Sequence, residues 1–187
     1  MSEKLQYHIG IPMSMQGEAR WALLPGDPGR CEKIARCLEQ PAFVASNREF
    51  TTWRGMLSGE TVLVTSTGIG GPSASIAMWE LAQLGVANFI RVGTCGGMQA
   101  KVLPGDLIIP TGAIRMEGLP RGLPAEYPAV GFHVAARAAD CAAQSGIRWH
   151  VGPVQSGSFW GQSRSHAGCR AVNPELESVL PRGRACL

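Results

Sequence analysis

The chain has 187 residues, 45% of them hydrophobic, with 24 glycines and a formal net charge of +3. That length suffices for one well-buried domain, and the composition fits a globular α/β protein rather than a disordered one. The charge is too small, and its Lys and Arg residues too dispersed, to argue for nucleic acid, and no apolar run is long enough to span a membrane.

Trp21-Ala22-Leu23-Leu24-Pro25 reads as a short strand, followed by Gly26-Asp27-Pro28. Asp27 suits an N-cap and Pro28 the first helical position, so a helix is expected from there to about Leu38. Phe50 to Trp53 and Thr61 to Ser66 look like strands joined through the turn region Gly55 to Gly59. Gly68-Ile69-Gly70-Gly71-Pro72 ends the second strand and opens a helix whose apolar face carries Ala77, Leu81 and Leu84, with Gly85 as its stop. A strand ending at Arg91 follows, then Leu107-Ile108-Ile109. Phe132 to Ser145 is an alanine-rich helix stopped by Gly146, and Ile147, Trp149 and Val151 alternate with polar residues as in a strand. Strands alternating with helices argue for an α/β sandwich around a largely parallel sheet. Ligands bind such sheets at the carboxyl ends of strands, where the turns at Gly26, Gly68 and Gly93 are expected.

The six cysteines show no CxxC spacing, which gives no support to a zinc ribbon or a thioredoxin-like motif. The polar start, Met1-Ser2-Glu3-Lys4, lacks the apolar core of a secretory signal. A reduced, cytoplasmic enzyme is the expectation.

Arg91 lies in Asn88-Phe89-Ile90-Arg91-Val92-Gly93-Thr94-Cys95-Gly96-Gly97, where an apolar strand meets a glycine-rich turn. A guanidinium cannot be neutralised, so burying it there requires an anionic partner. Either a distant Asp or Glu supplies that charge, or an oxyanion such as phosphate does, helped by turn N–H groups and the Thr94 hydroxyl. Arg30 sits in the first turn of a helix, whose free N–H groups favour anions, and Arg48 precedes Phe50; with Arg91 they make a set able to clamp one small oxyanion. Neither GxGxxG nor GxxxxGK[ST] occurs in these turns.

Ser66-Thr67-Gly68-Ile69-Gly70-Gly71-Pro72-Ser73-Ala74-Ser75-Ile76, followed by Glu80-Leu81, resembles the signature of the nucleoside phosphorylase-I family. Gly26-Asp27-Pro28-Gly29-Arg30 and Arg91-Val92-Gly93-Thr94 fall where that family binds phosphate. Arg48-Glu49-Phe50-Thr51-Thr52-Trp53-Arg54-Gly55 and Phe159-Trp160-Gly161-Gln162-Ser163-Arg164 look like its uridine phosphorylase branch. The resemblance runs roughly from residue 7 to residue 164. It implies a single domain, a three-layer α/β/α sandwich around a mixed, largely parallel sheet.

The activity implied is reversible phosphorolysis of uridine to uracil and ribose 1-phosphate, in pyrimidine salvage, with inorganic phosphate as co-substrate and no organic cofactor. By the same resemblance Gly26, Arg30, Arg91 and Thr94 hold phosphate, and Arg48 reaches the phosphate of a neighbouring subunit. Phe159 packs on the nucleoside, while Gln162 and Arg164 read the uracil and stabilise its developing charge. His8 reaches the ribose 5′-hydroxyl across the interface. Glu49, Ile69 and Ser73 match positions that hold a potassium ion between subunits in some members. The chain is expected to form a homo-oligomer built of dimers, a hexamer by family resemblance, without nucleic acid or membrane partners.

After Arg164 the resemblance departs from the family pattern. Val172-Asn173-Pro174-Glu175-Leu176-Glu177-Ser178 looks like the family's ribose motif, with Leu176 in its Met position and Glu175 and Glu177 as carboxylates; Glu177 would accept hydrogen bonds from the ribose hydroxyls. The segment before it, Ser165 to Arg170, is unlike the family's flap, and the last strand and C-terminal helix have no counterpart. The expectation is therefore a fold truncated at the C-terminus, residues 165–187 forming a divergent tail. A purine nucleoside phosphorylase or nucleosidase of the same superfamily, or a catalytically impaired remnant that still binds phosphate, are the alternatives.

Overall fold

In the computed structural model, which describes residues 3–97, 99–115 and 131–156, the chain divides into two units, the first ending at Gly93 and the second beginning at Thr94. The first unit contains β1 (Ala19–Leu24), α1 (Cys31–Ala35), β2 (Glu39–Asn47), β3 (Phe50–Leu57), β4 (Glu60–Thr65), α2 (Gly71–Gln83) and β5 (Asn88–Arg91). The second contains β6 (Leu107–Arg115), α3 (Phe132–Ser145) and β7 (Trp149–Ser156).

The first unit is built on a five-stranded sheet in the order β2-β3-β4-β1-β5. Strand β1 is parallel to both of its neighbours, β4 and β5, whereas β2, β3 and β4 run antiparallel as consecutive hairpins. In the second unit β6 and β7 pair in parallel. The fold is therefore α/β with a mixed, largely parallel set of strands.

Period-two alternation sends neighbouring residues of each strand to opposite faces. On one face Ala22, Leu24, Phe50 and Leu63 pack with Ala77 and Leu81 of α2 and with Leu84 at its C-cap. On the other, Leu23, Trp53 and Val64 pack with Cys31 and Ala35 of α1. Helices thus cover both faces of this sheet. Ala19 breaks the alternation, three residues before Ala22 yet on the same face; a register shift between Ala19 and Trp21 absorbs the odd residue. The segment ahead of β1 is also part of the core. Leu5 bridges Pro12, and Ile9 and Ile11 between them are fully buried against α2.

Several element ends differ from the sequence expectation. The helix after Pro28 is a 3-10 turn, Pro28–Arg30, running into an α-helix that ends at Ala35. Leu38 reaches the core through further single turns, its N–H donating to Ala35 O at 2.9 Å. Strand β2, Glu39–Asn47, has no counterpart among the elements that the sequence pattern predicts. Gly55 lies inside β3 rather than in a turn, which Ser58 and Gly59 make instead. Among the described residues no helix is long and apolar enough to cross a membrane.

One polar cluster organises the second unit. The Asp106 carboxylate accepts hydrogen bonds from Leu103 N at 2.8 Å and His150 Nε2 at 2.7 Å, and pairs with Arg148 Nε at 3.2 Å. It thereby ties the turn before β6 to the start of β7. The Leu103 amide foremost, then His150 and Arg148, hold its pKa below the ordinary aspartate value. A depressed carboxylate pKa stabilises the fold above the unfolded-state pKa and loses that contribution as pH falls through the folded value. The second unit should accordingly lose protection from about pH 4 downward. In Asp106→Asn that acid sensitivity should be blunted and stability at neutral pH reduced. Amide hydrogen exchange in β6 and β7 across this pH range reads both effects.

Candidate functional site

Because β4, β1 and β5 run in parallel, their carboxyl ends emerge on one edge of the sheet. Leu24 leads into Gly26-Asp27-Pro28, Thr65 into Gly68-Ile69-Gly70, and Arg91 into Gly93. The backbone locks these exits together: Val92 N donates to Leu24 O at 3.1 Å and Thr67 N to Pro25 O at 2.9 Å. Ser66, fully buried, accepts from Thr51 N and donates to Glu49 O, both at 2.7 Å, so the hairpin carrying Arg48 and Glu49 is tied to the same edge.

The Arg91 side chain lies against the backbone of two of these turns. Its Nη1 donates to Leu24 O at 2.8 Å and approaches Val92 O at 3.4 Å. A methyl group on Gly26 would stand 3.0 Å from Nη2, and one on Gly93 3.4 Å from Cζ. Both glycines leave the space that the guanidinium occupies. Arg91 is more exposed than its apolar neighbours suggest; among the described residues β5 is the last strand of this sheet. Partial burial, and then the charge of Arg30, pull its pKa below the ordinary arginine value. Arg30 ends the turn Pro28–Arg30, which Asp27 caps by accepting from Gly29 N at 2.9 Å. Among the described residues no carboxylate forms an ion pair with Arg30 or Arg91. Two guanidinium groups within electrostatic reach repel each other, so the site is short of negative charge. An oxyanion with several acceptor oxygens would supply what it lacks.

A second cluster forms where the β2–β3 hairpin meets the N-terminal segment and α2. Arg48 occupies the left-handed region at φ 54°, an unfavourable conformation for a residue with a side chain. Its guanidinium lies 5.8 Å from the centroid of the Tyr7 ring, and Tyr7 stacks edge-on with His8. The adjacent Glu49 is held ionised, its pKa lowered by its own backbone N–H and by Ser73, whose Oγ donates to Oε1 at 3.0 Å. Ile69 projects into solvent, 96% exposed. Thr94, also exposed, opens the second unit. Phe159, Gln162, Arg164, Glu175, Leu176 and Glu177 lie outside the described residues.

One residue of this second cluster had no role in the sequence reading. Glu80 is only 5% exposed and faces His8. Its signal is a charge on an apolar stripe: Ala77, Glu80, Leu81 and Leu84 follow the i, i+3, i+4, i+7 spacing of one helix face. Among the described residues no group of three or more His, Cys, Asp or Glu side chains stands together as a metal site.

Residues 20–164 match the profile of the Phosphorylase superfamily. The chain belongs to that superfamily. It is 44% identical over 168 residues to a uridine phosphorylase of Escherichia coli, an alignment covering 88% of this chain and 66% of that protein. It is 46% identical over 188 residues to a uridine phosphorylase of Treponema pallidum, covering 99% of this chain and 71% of that protein. A guanosine phosphorylase of Halorubrum lacusprofundi is 39% identical over 172 residues, covering 87% of this chain and 71% of that protein. The chain thus spans 66% of the length of its E. coli relative.

The glycine contacts make position 26 a sensitive probe of whether Arg91 holds an oxyanion. Gly26→Ala adds only a methyl group, 3.0 Å from Arg91 Nη2, and should push the guanidinium out of place. Binding of inorganic phosphate, read by titration calorimetry, should weaken by about tenfold, or ~1.4 kcal/mol. Gly29→Ala is the control, because its methyl would meet nothing closer than the Asp27 carboxylate at 3.4 Å.

Proposed function

We propose that the protein catalyses the reversible phosphorolysis of uridine, releasing uracil and ribose 1-phosphate. The observation that carries this reading is the Arg30 and Arg91 pair at the Gly26 turn, two cations without a carboxylate partner among the described residues. The two uridine phosphorylases, at 44% and 46% identity, support the choice of nucleoside.

In this reading Arg30 and Arg91 hold the phosphate, with Thr94 adding a hydroxyl donor. The ribose–uracil bond breaks as the sugar becomes oxocarbenium-like. The phosphate dianion stabilises that cation and then forms the new bond to the anomeric carbon. Uracil departs as an anion, its charge met by Arg164 and its edge by Gln162, with Phe159 packed on the nucleoside. Glu177, within the segment that also carries Glu175 and Leu176, binds the ribose hydroxyls. No organic cofactor takes part, and the 187 residues act as a single domain in the cytoplasm.

His8 and Arg48 belong to the second cluster, and in this reading they serve the site of a neighbouring subunit. The exposed apolar surface beside that cluster, with Tyr7 75% and Trp79 69% exposed, supports a homo-oligomer built of dimers. The ionised Glu49 carboxylate and the Ser73 hydroxyl are hard oxygen donors that fit a potassium ion at the interface, near Ile69.

Turnover with purified protein and phosphate decides the matter. Uridine should be cleaved on the order of 10⁴-fold faster than inosine, since a buried polar match that is lost costs that much discrimination. Arg91→Ala should lower uridine phosphorolysis by roughly 10²-fold or more. Equal rates on uridine and inosine would instead favour a purine-cleaving enzyme.

A further inference from the structure

Glu80 is a buried acid without a basic side chain of lysine or arginine paired to it among the described residues. Burial of a carboxylate is costly unless hydrogen bonds replace the lost water. Here the N-terminal segment supplies all of them. His8 N lies 3.0 Å from both carboxylate oxygens, Ile9 N donates to Oε2 at 2.9 Å, and His8 Nδ1 lies 2.6 Å from Oε1. A second element fixes the same residue, as Asn47 Nδ2 donates to His8 O at 2.8 Å.

This arrangement determines which ring nitrogen carries a proton. An ionised carboxylate only accepts, and two backbone N–H groups already donate to it. The third partner, Nδ1, must donate as well. In the neutral ring Nε2 then keeps its lone pair and acts as an acceptor. The imidazole is 31% exposed, so it is open to a ligand while its backbone is anchored. Its chemistry suits a hydroxyl that donates, not an anion.

We propose that Glu80 is a positioning residue that fixes His8 in the Nδ1–H tautomer, so that Nε2 accepts a hydrogen bond from the ribose 5′-hydroxyl. This rests on the reading of His8 as a ribose contact given above. A carboxylate serving only the helix and the N-terminal backbone would be satisfied by the His8 and Ile9 amides. The 2.6 Å contact to the ring is the additional feature.

The tautomer is read directly from ¹⁵N chemical shifts of the histidine rings in the wild-type protein at a pH where they are neutral. His8 should carry its proton on Nδ1, and a protonated Nε2 with bare Nδ1 would overturn the proposal without any mutation. The functional arm compares kcat/KM for uridine and 5′-deoxyuridine. His8→Ala should bring the two substrates together. Glu80→Gln should lower the uridine preference at least threefold, mainly through uridine, with the 5′-deoxyuridine rate retained. Adding Glu80→Gln to His8→Ala should not lower the preference further, because the two residues act as one unit. Equal losses on both substrates in Glu80→Gln, with His8→Ala still abolishing the preference, would leave the ribose reading of His8 standing and overturn the role of Glu80. An unchanged preference in His8→Ala would overturn both.

Discussion

Strand β1 has a parallel neighbour on each side, and that pairing sets the geometry of the candidate site. Three chain exits, after Leu24, Thr65 and Arg91, are forced onto one edge, where Leu24 O accepts from both Val92 N and Arg91 Nη1. Antiparallel pairing at either position would send one exit to the opposite edge. The guanidinium of Arg91 rests on a turn that belongs to another strand, so its placement depends on the sheet register rather than on its own loop. The hairpins β2–β3 and β3–β4 extend the sheet on one side only, and they bring Arg48 and Glu49 to the same edge through Ser66.

The two clusters solve different electrostatic problems. At the first, like charges are held near each other with no carboxylate paired to either among the described residues. At the second, the charges are matched within the protein: Glu49 by its own amide and Ser73, Glu80 by the N-terminal segment. The strained backbone of Arg48 stands out beside this, because nothing in the hairpin requires a long cationic side chain at a position where glycine or asparagine is favoured. Such residues in sparsely populated backbone regions concentrate at functional sites.

Much of this was legible in the residues. Asp27 and Pro28 announced a capped turn, Gly85 ended α2 and Gly146 ended α3, each of the latter two with a left-handed backbone. Short apolar runs ending in glycine-containing turns point to β1, β4 and β5, and alternation points to β7. What escaped did so for physical reasons. In β2, Gln40 has φ 49° and the pairing with β3 shifts register twice, so Glu39–Asn47 lacks a regular apolar alternation. Leu38 has the helical spacing but arrives by single turns. The apolar neighbours of Arg91 suggest deeper burial than it has; among the described residues β5 pairs on one side only. Glu80 was seen as part of a motif but not as a buried group, since sequence does not show which segment will cover a helix face. The family resemblance singles out Arg30, Arg48, Arg91 and His8 by position alone; that Arg91 lies on Leu24 O, Arg48 near the Tyr7 ring and His8 on Glu80 is visible only in the structure.

The burial of Ile9 and Ile11 and the hydrogen bonds of His8 and Ile9 to Glu80 give the N-terminal segment an unusual standing. Here the residues just after Tyr7 complete the hydrophobic face of α2 and satisfy its buried acid. A proteolytic cut or a substitution within residues 8–11 would therefore act on the core itself.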